Sequence, residues 1–278
     1  GMRVLAGVFA AVVALALYAP VATAAATPTP SHVVIVVEEN KPSGGVVGNN
    51  AASFINSVAK NGALMTQSYA VAHPSEPNYL ALFAGSTFGV SSDACPVDAG
   101  AAPNLGSALL AVGYSFGGFS EDLPATGSLV CSAGKYARKH VPWANFSSVP
   151  AANSLPFSAF NARSDYATLP TVSFVIPNVD NDMHDGSIAQ GDAWLASNMS
   201  RYANWAAANN SLLIVTVDED DNSANNQIAT VIYGAHVKPG SYNEPISHYN
   251  VLSTVEQMYG LSLTGLAANA PAISDIWA

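Results

Sequence analysis

The chain has 278 residues, half of them hydrophobic and a tenth charged, with 19 acidic against 9 basic residues and a net charge of −10 at neutral pH. That length suits one large or two small domains, and the apolar fraction supplies a sizeable core. The acidity argues against nucleic acid as a partner, because a phosphate backbone needs a basic footprint, yet it leaves room for a small phosphate ester held through a metal.

Met2-Arg3, the apolar run Val4 to Ala19 and the small residues Val21-Ala22-Thr23-Ala24-Ala25-Ala26 open the chain. This order predicts a secretory signal peptide over residues 1–26, with an uncleaved anchor as the alternative. The expected location is secreted or periplasmic, without integral membrane association after cleavage; no other segment is apolar for long enough to cross a bilayer. Thr27-Pro28-Thr29-Pro30 is a short linker into one domain spanning 27–278. Cys95 and Cys131, in an exported chain, predict a disulfide.

Strand and helix patterns then alternate. His32 to Val37 reads as a strand, Ala51 to Asn61 as an amphipathic helix, Ala63 to Ala70 as a second strand and Pro77 to Ala84 as a short helix. Leu105 to Val112 is helical and Tyr114 to Phe119 extended, and residues 122–168 are irregular. A buried strand follows at Thr171 to Ile176 and a helix at Gly191 to Asn209, whose Trp194, Met199, Tyr202 and Trp205 recur at core spacing. Strands at Leu212 to Val217 and Ile228 to Tyr233 and a helix at Tyr249 to Tyr259 complete the chain. The alternation predicts an α/β fold, a three-layer α/β/α sandwich around a mainly parallel sheet.

Two greasy strands run straight into carboxylates. Val33 to Val37 ends in Glu38-Glu39-Asn40, and Leu212 to Val217 ends in Asp218-Glu219-Asp220-Asp221. Open α/β sheets bind ligands at such strand ends, and clustered carboxylates call for a divalent cation. Asp218-x-Asp220-x-Asn222 is not an EF-hand loop, since Ser223 stands where the turn needs Gly and Ala229 where the closing Glu belongs. Ser75 opens a helix with Pro77 in its first turn. It is either an N-cap or a nucleophile facing an electrophile held over free helix N–H groups. Asp180 and His184, four apart, pair as ligands or as polar-turn residues. Ser247-His248 brings a further polar pair to the start of the last helix. Arg138-Lys139-His140 is the densest positive run and reads either as an anion holder or as a solvated loop.

In order along the chain, Val36-Val37-Glu38-Glu39-Asn40, His73-Pro74-Ser75-Glu76-Pro77-Asn78-Tyr79, Ser120-Glu121-Asp122-Leu123-Pro124, Tyr136-Ala137-Arg138-Lys139-His140, Asn181-Asp182-Met183-His184-Asp185, Asp218-Glu219-Asp220 and Gly234-Ala235-His236-Val237-Lys238-Pro239-Gly240 are similar to motifs of the phosphoesterase family. That family comprises secreted acid phosphatases and phospholipases C of the alkaline-phosphatase-like superfamily. The resemblance implies one phosphoesterase domain, an alkaline-phosphatase-like sandwich, and metal-assisted phosphoryl transfer. It implies Glu39, Asn40, Asp182, Asp218, Glu219 and His248 as ligands of a divalent ion, whether calcium, magnesium, manganese or zinc, with Asp180 the competitor of Asp182. It implies Ser75 as the nucleophile and His184 as part of the Asp-x-x-x-His pair. His73, His140 or His184 would protonate the leaving group, with His184 taken as the catalytic one, and His73, Asn78, Arg138, Lys139 and His140 are the expected substrate-binding residues. Glu219 in place of the histidine usual in zinc relatives leans toward harder ions.

The expected activity is a phosphomonoesterase acting through a phosphoserine on a small phosphate ester, with phosphoinositides and nucleotides among the candidates. A phospholipase C-type diesterase is the first rival; Trp143, Phe146, Phe157 and Phe160 would line its acyl groove. The second is a secreted calcium-binding module, which leaves Ser75 and the basic triplet without a role.

Overall fold

The computed structural model describes residues 26–278, with residues 1, 16 and 19 before them; the rest of the predicted signal peptide lies outside the described residues. The strands are β1 (His32–Glu38), β2 (Ala63–Met65), β3 (Ser68–Tyr69), β4 (Phe116–Ser120), β5 (Ser132–Ala133), β6 (Tyr136–Ala137), β7 (Ser154–Pro156), β8 (Val172–Ile176), β9 (Ser211–Val217), β10 (Thr230–Gly234), β11 (Gly240–Tyr242) and β12 (Ile246–Ser247). The helices are α1 (Ser43–Val46), α2 (Ser53–Asn61), α3 (Ser75–Ala84), α4 (Leu105–Ala111), α5 (Ser158–Asn161), α6 (Ile188–Ala208) and α7 (His248–Met258).

Eight strands form one sheet in the order β11-β2-β10-β9-β1-β8-β4-β7. Only β10 runs against the rest. Because strand side chains alternate between faces, the uniformly apolar central strands feed two cores at once. Val33, Ile35 and Val37 of β1, with Leu212 and Ile214 of β9, pack under α3, α4 and α7. Val34 and Val36, with Leu213, Val215 and Val217, pack under α2 and α6. Each fully buried aliphatic side chain contributes about 1.5–3 kcal/mol, so strands without a polar face are what a sheet covered on both sides requires.

Polar side chains fix how the helices enter. The Asp192 carboxylate accepts the Phe54 and Ile55 N–H groups, both at 2.9 Å, and so ties the start of α2 to α6. Ser247 and Asn250 form a capping box at α7. Gly118 of β4 lies beneath the Trp143 indole, and a Cβ there would sit 2.1 Å from the ring.

Several expectations are corrected. Residues 63–70 are two strands in different sheets, split where Ser68-Tyr69 turns to pair with β12. The 122–168 segment is not simply irregular: β7 joins the main sheet beside β4, and β5 and β6 form a hairpin. Their two- and three-residue lengths are too short for hydrophobic periodicity to register. α3 starts two residues earlier than its proline suggested, since the first turn needs no N–H at Pro77. Cys95 and Cys131 form the expected disulfide, with Cα atoms 5.8 Å apart.

Candidate active site

β1 and β9 end level, because Glu38 lies opposite Val217 in the parallel register. Main-chain bonds extend that alignment: the Glu39 N–H donates to the Asp182 carbonyl at 2.7 Å and the Asp218 N–H to the Glu38 carbonyl at 2.9 Å. Three chain segments thus deliver Glu39, Asp182, Asp218 and Glu219 to one rim of the sheet, where all four are buried. α3 brings Ser75 to the same place. Its hydroxyl does not cap the helix; it lies 3.0 Å from Glu39 Oε2 and 3.1 Å from Glu219 Oε1, donating toward these carboxylates. One turn on, Tyr79 donates to Glu39 Oε1 at 2.5 Å.

Each aspartate is half-committed. Asp218 Oδ1 accepts the N–H groups of Asn40 and Glu219, at 3.0 and 2.6 Å, while its buried Oδ2 has no partner. Asp182 Oδ1 accepts the His184 N–H at 2.7 Å, and its Oδ2 is equally bare. His140, stacked on Tyr79 with ring centroids 5.1 Å apart, is fully buried between them. Its Nε2 lies 3.0 Å from Glu39 Oε1 without hydrogen-bond geometry, and its Nδ1 is 3.4 Å from Asp182 Oδ2. Ligand atoms of Glu39, His140 and Asp182 all lie within 4.8 Å of one another.

The electrostatics are those of carboxylates crowded together in a buried place. Burial, reinforced by Asp218 and Asp182, holds the Glu39 carboxyl well above its ordinary range. Burial likewise raises Asp182 and Asp218 and drives His140 well below the usual imidazole value. Several buried carboxylates cannot all ionise side by side without large cost. A divalent cation removes that cost, and bare carboxylate oxygens beside a neutral imidazole are the donor set that suits one.

The other candidates take different places. Asn40 adopts φ 51° and faces Asp218 with its main-chain N–H. His248 is buried, its Nε2 2.7 Å from the Asp218 carbonyl, and burial lowers its pKa to about 4. His73 stands at the mouth, Nδ1 2.5 Å from Glu219 Oε2 and Nε2 3.4 Å from Asp220 Oδ1. Asp180 pairs with Lys135 at 3.2 Å outside the cluster, while His184 pairs with Asp185 at 2.7 Å on an exposed turn. Lys139 pairs with Asp93, whose carboxylate also accepts the Glu76 N–H at the start of α3.

Asn78 and Arg138 are not brought to the cluster. The Asn78 amide is consumed by the main chain of Val71, Ala72 and Pro74. The Arg138 guanidinium is turned onto the Leu129 and Ala144 carbonyls and the Asn145 side chain.

A phosphoesterase family model matches residues 45–262. The chain belongs to the phosphoesterase family. It is 69% identical over 254 residues to a phosphatidylinositol-3-phosphatase of Mycobacterium tuberculosis, covering 91% of this chain and 85% of that one. It is 30% identical over 226 residues to an acid phosphatase of Aspergillus fumigatus, covering 75% of this chain but 51% of that protein, about half its length. In fold it resembles an alkaline phosphatase superfamily protein from Vibrio parahaemolyticus, with a TM-score of 0.62 at 12% identity over 90% of this chain and 72% of that one. This phosphoesterase is therefore a hydrolase of phosphate esters, built on the α/β sandwich.

Sequence reasoning gave no role to Tyr79 and cast His140 as substrate-binding, whereas both belong to this phosphoesterase's cluster. Tyr79 sits four residues after Ser75, a spacing that puts both on one helix face. His140 was grouped with its basic neighbours, although a three-residue 3-10 turn at Arg138–His140 aims successive side chains apart.

Proposed function

We propose that this phosphoesterase is a secreted, metal-dependent phosphomonoesterase of the acid phosphatase type, working through a phosphoserine on Ser75, with residues 27–278 as its catalytic domain. The observation that carries this reading is the buried Ser75 hydroxyl, 3.0 and 3.1 Å from two carboxylates and beside bare ligand atoms. Glu39, Asp182, Asp218 and His140 would hold the cation, with Glu219 bridging to Ser75. Bound there, a divalent ion neutralises the carboxylates, acidifies the serine hydroxyl and stabilises charge on the phosphoryl oxygens. The nitrogen donor from His140 widens the choice of ion from hard calcium and magnesium toward manganese and zinc.

The chain's own groups perform the proton and bond changes. Ser75 passes its proton to a carboxylate that already accepts its hydrogen bond. Its oxygen then forms the new P–O bond in line as the ester P–O bond breaks. The departing alkoxide takes a proton from His73, which Glu219 orients through Nδ1. Water attacks the phosphoserine, His73 takes the water's proton, and Ser75 recovers its own as inorganic phosphate leaves. We assign the acid to His73 in preference to His184, because His73 touches the carboxylate that touches the nucleophile, whereas the ring of His184 is tied to Asp185.

The mycobacterial relative's name supports a phosphoinositide as a substrate, with nucleotides among the other candidate phosphomonoesters. Export is supported by the disulfide, and no described helix is long and apolar enough to cross a membrane. Phosphate release from p-nitrophenyl phosphate tests the reading. Ser75→Ala is expected to reduce it at least about a thousandfold with unchanged circular dichroism. A variant retaining a tenth of wild-type activity would overturn the nucleophile.

A further inference from the structure

A cavity of about 620 Å³ is lined in part by Arg138, two residues before His140 of the cluster, and the phosphoryl chemistry makes no use of it. Its walls include Val97, Leu129, Trp143, Ala144, Phe146 and Val149, together with Arg138. The volume is that of a ligand pocket, and its lining is largely apolar. At the rim Leu129 and Val130 expose 60% and 43% of their surface. Exposed aliphatic side chains beside an apolar cavity are a costly arrangement for a purely water-facing loop.

Two features connect the cavity to the reacting centre. Along one face of α3, Ser75 sits in the cluster and Tyr79 stacks on His140. One turn further, Phe83 meets Phe146 and Trp143 at centroid distances of 5.5 and 6.4 Å. Eight residues of helix carry α3 about 12 Å from Ser75 to Phe83, whose ring packs on the cavity-lining Phe146 and Trp143. The Arg138–His140 turn makes the same connection from the other side: His140 belongs to the cluster and Arg138 to the cavity wall. Arg138 is buried, its Nη groups held by the Leu129 and Ala144 carbonyls and the Asn145 side chain and its Nε without a hydrogen-bond partner, so this wall carries a positive charge fixed in place by the fold. Asp98, at the rim, is the one acidic side chain of the lining, and it accepts the Gly100 N–H.

We propose that this cavity takes an acyl chain of a lipid phosphate ester whose phosphorylated headgroup lies in the catalytic cluster. The headgroup, a cyclitol ring with its phosphodiester, spans the distance between cluster and cavity. The charge of Arg138, whose guanidinium stays on its own carbonyls, draws the phosphodiester toward that wall, the apolar walls hold the chain, and Leu129 and Val130 meet the bilayer from which it is drawn. This assignment rests on the phosphoinositide reading above and adds the element that makes a lipid preferred over its soluble headgroup.

The test compares a monomeric short-chain phosphatidylinositol 3-phosphate with its deacylated counterpart. Wild type is expected to show a kcat/KM at least tenfold higher for the acylated ester. Ala144→Phe, which fills the cavity, and Leu129→Asp, which changes only its exposed rim, should each lower that ratio at least fivefold. A second readout needs no turnover: in Ser75→Ala, the same lipid with brominated acyl chains should quench Trp143 fluorescence, and Ala144→Phe should abolish the quenching. A wild-type ratio near one, a ratio unmoved by both variants, or absence of quenching would overturn the cavity assignment. Hydrolysis of p-nitrophenyl phosphate in those cases would leave the phosphatase reading standing. Quenching without hydrolysis of any ester would instead sink the phosphatase reading and keep the cavity.

Discussion

At the scale of single residues, Asp182 and Asp218 each keep one held and one bare oxygen, whereas both oxygens of Glu39 and of Glu219 are held. Tyr79 illustrates how an oxygen is held, since its hydroxyl is the donor that orients Glu39. Tyr79→Phe removes one hydrogen bond to an ionisable group, about 1.5–3 kcal/mol. The expected result is a fall of about 10- to 100-fold in metal affinity and kcat/KM, read by metal titration alongside steady-state kinetics. His73 and His184 give a paired prediction. His73→Asn should flatten the pH dependence of kcat and lower it about 10²- to 10⁴-fold, whereas His184→Asn should leave the shape of the profile unchanged; the reverse pattern would move the acid to His184. Glu39, Asp218 and Glu219 were legible in the sequence because greasy strands ended in them, and Ser75 because it preceded a proline-bearing helix. Arg138 was misleading for a physical reason: a guanidinium also donates to neutral carbonyl oxygens, and sequence does not show which acceptor is within reach.

At the scale of elements, the long strands and helices were readable because each is buried on the faces its pattern announces. The short strands β5, β6 and β7 and the 3-10 turns between them were not, because pairing partners distant in sequence create them. Asn78 shows how such a loop is held, its amide bonding the main chain of the segment that leads into α3. Asn78→Ala should cost about 2–4 kcal/mol of stability in denaturant unfolding, with catalysis falling as the loop loosens. α7 offers a pH prediction. The Glu256 carboxyl accepts the Thr264 N–H and hydroxyl, at 3.1 and 2.8 Å, and burial raises its pKa from 4.5 to about 7. Since the folded pKa exceeds the unfolded one, protonated Glu256 favours folding. That contribution is whole below pH 4.5 and is lost as the pH climbs through about 7. Melting temperatures of wild type and Glu256→Gln between pH 5 and 8 check this. The variant should gain on wild type toward pH 8, by on the order of 1–2 kcal/mol.

At the scale of the whole molecule, fold and site are one arrangement: a parallel register aligns strand ends, and the aligned ends create a charge problem that a bound cation would resolve. Removing divalent ions with a chelator should abolish phosphate release and lower the melting temperature, because a ligand bound only to the folded state stabilises it by mass action. Restoring the ion should return both. The most direct test of the central claim is acid-quenched mass spectrometry of the metal-loaded enzyme during turnover of a phosphomonoester. A phosphoryl group is expected on the peptide containing Ser75, appearing and vanishing at rates that match turnover. Steady turnover with Ser75 unmodified at every quench time, and with phosphate released directly to water, would contradict the account.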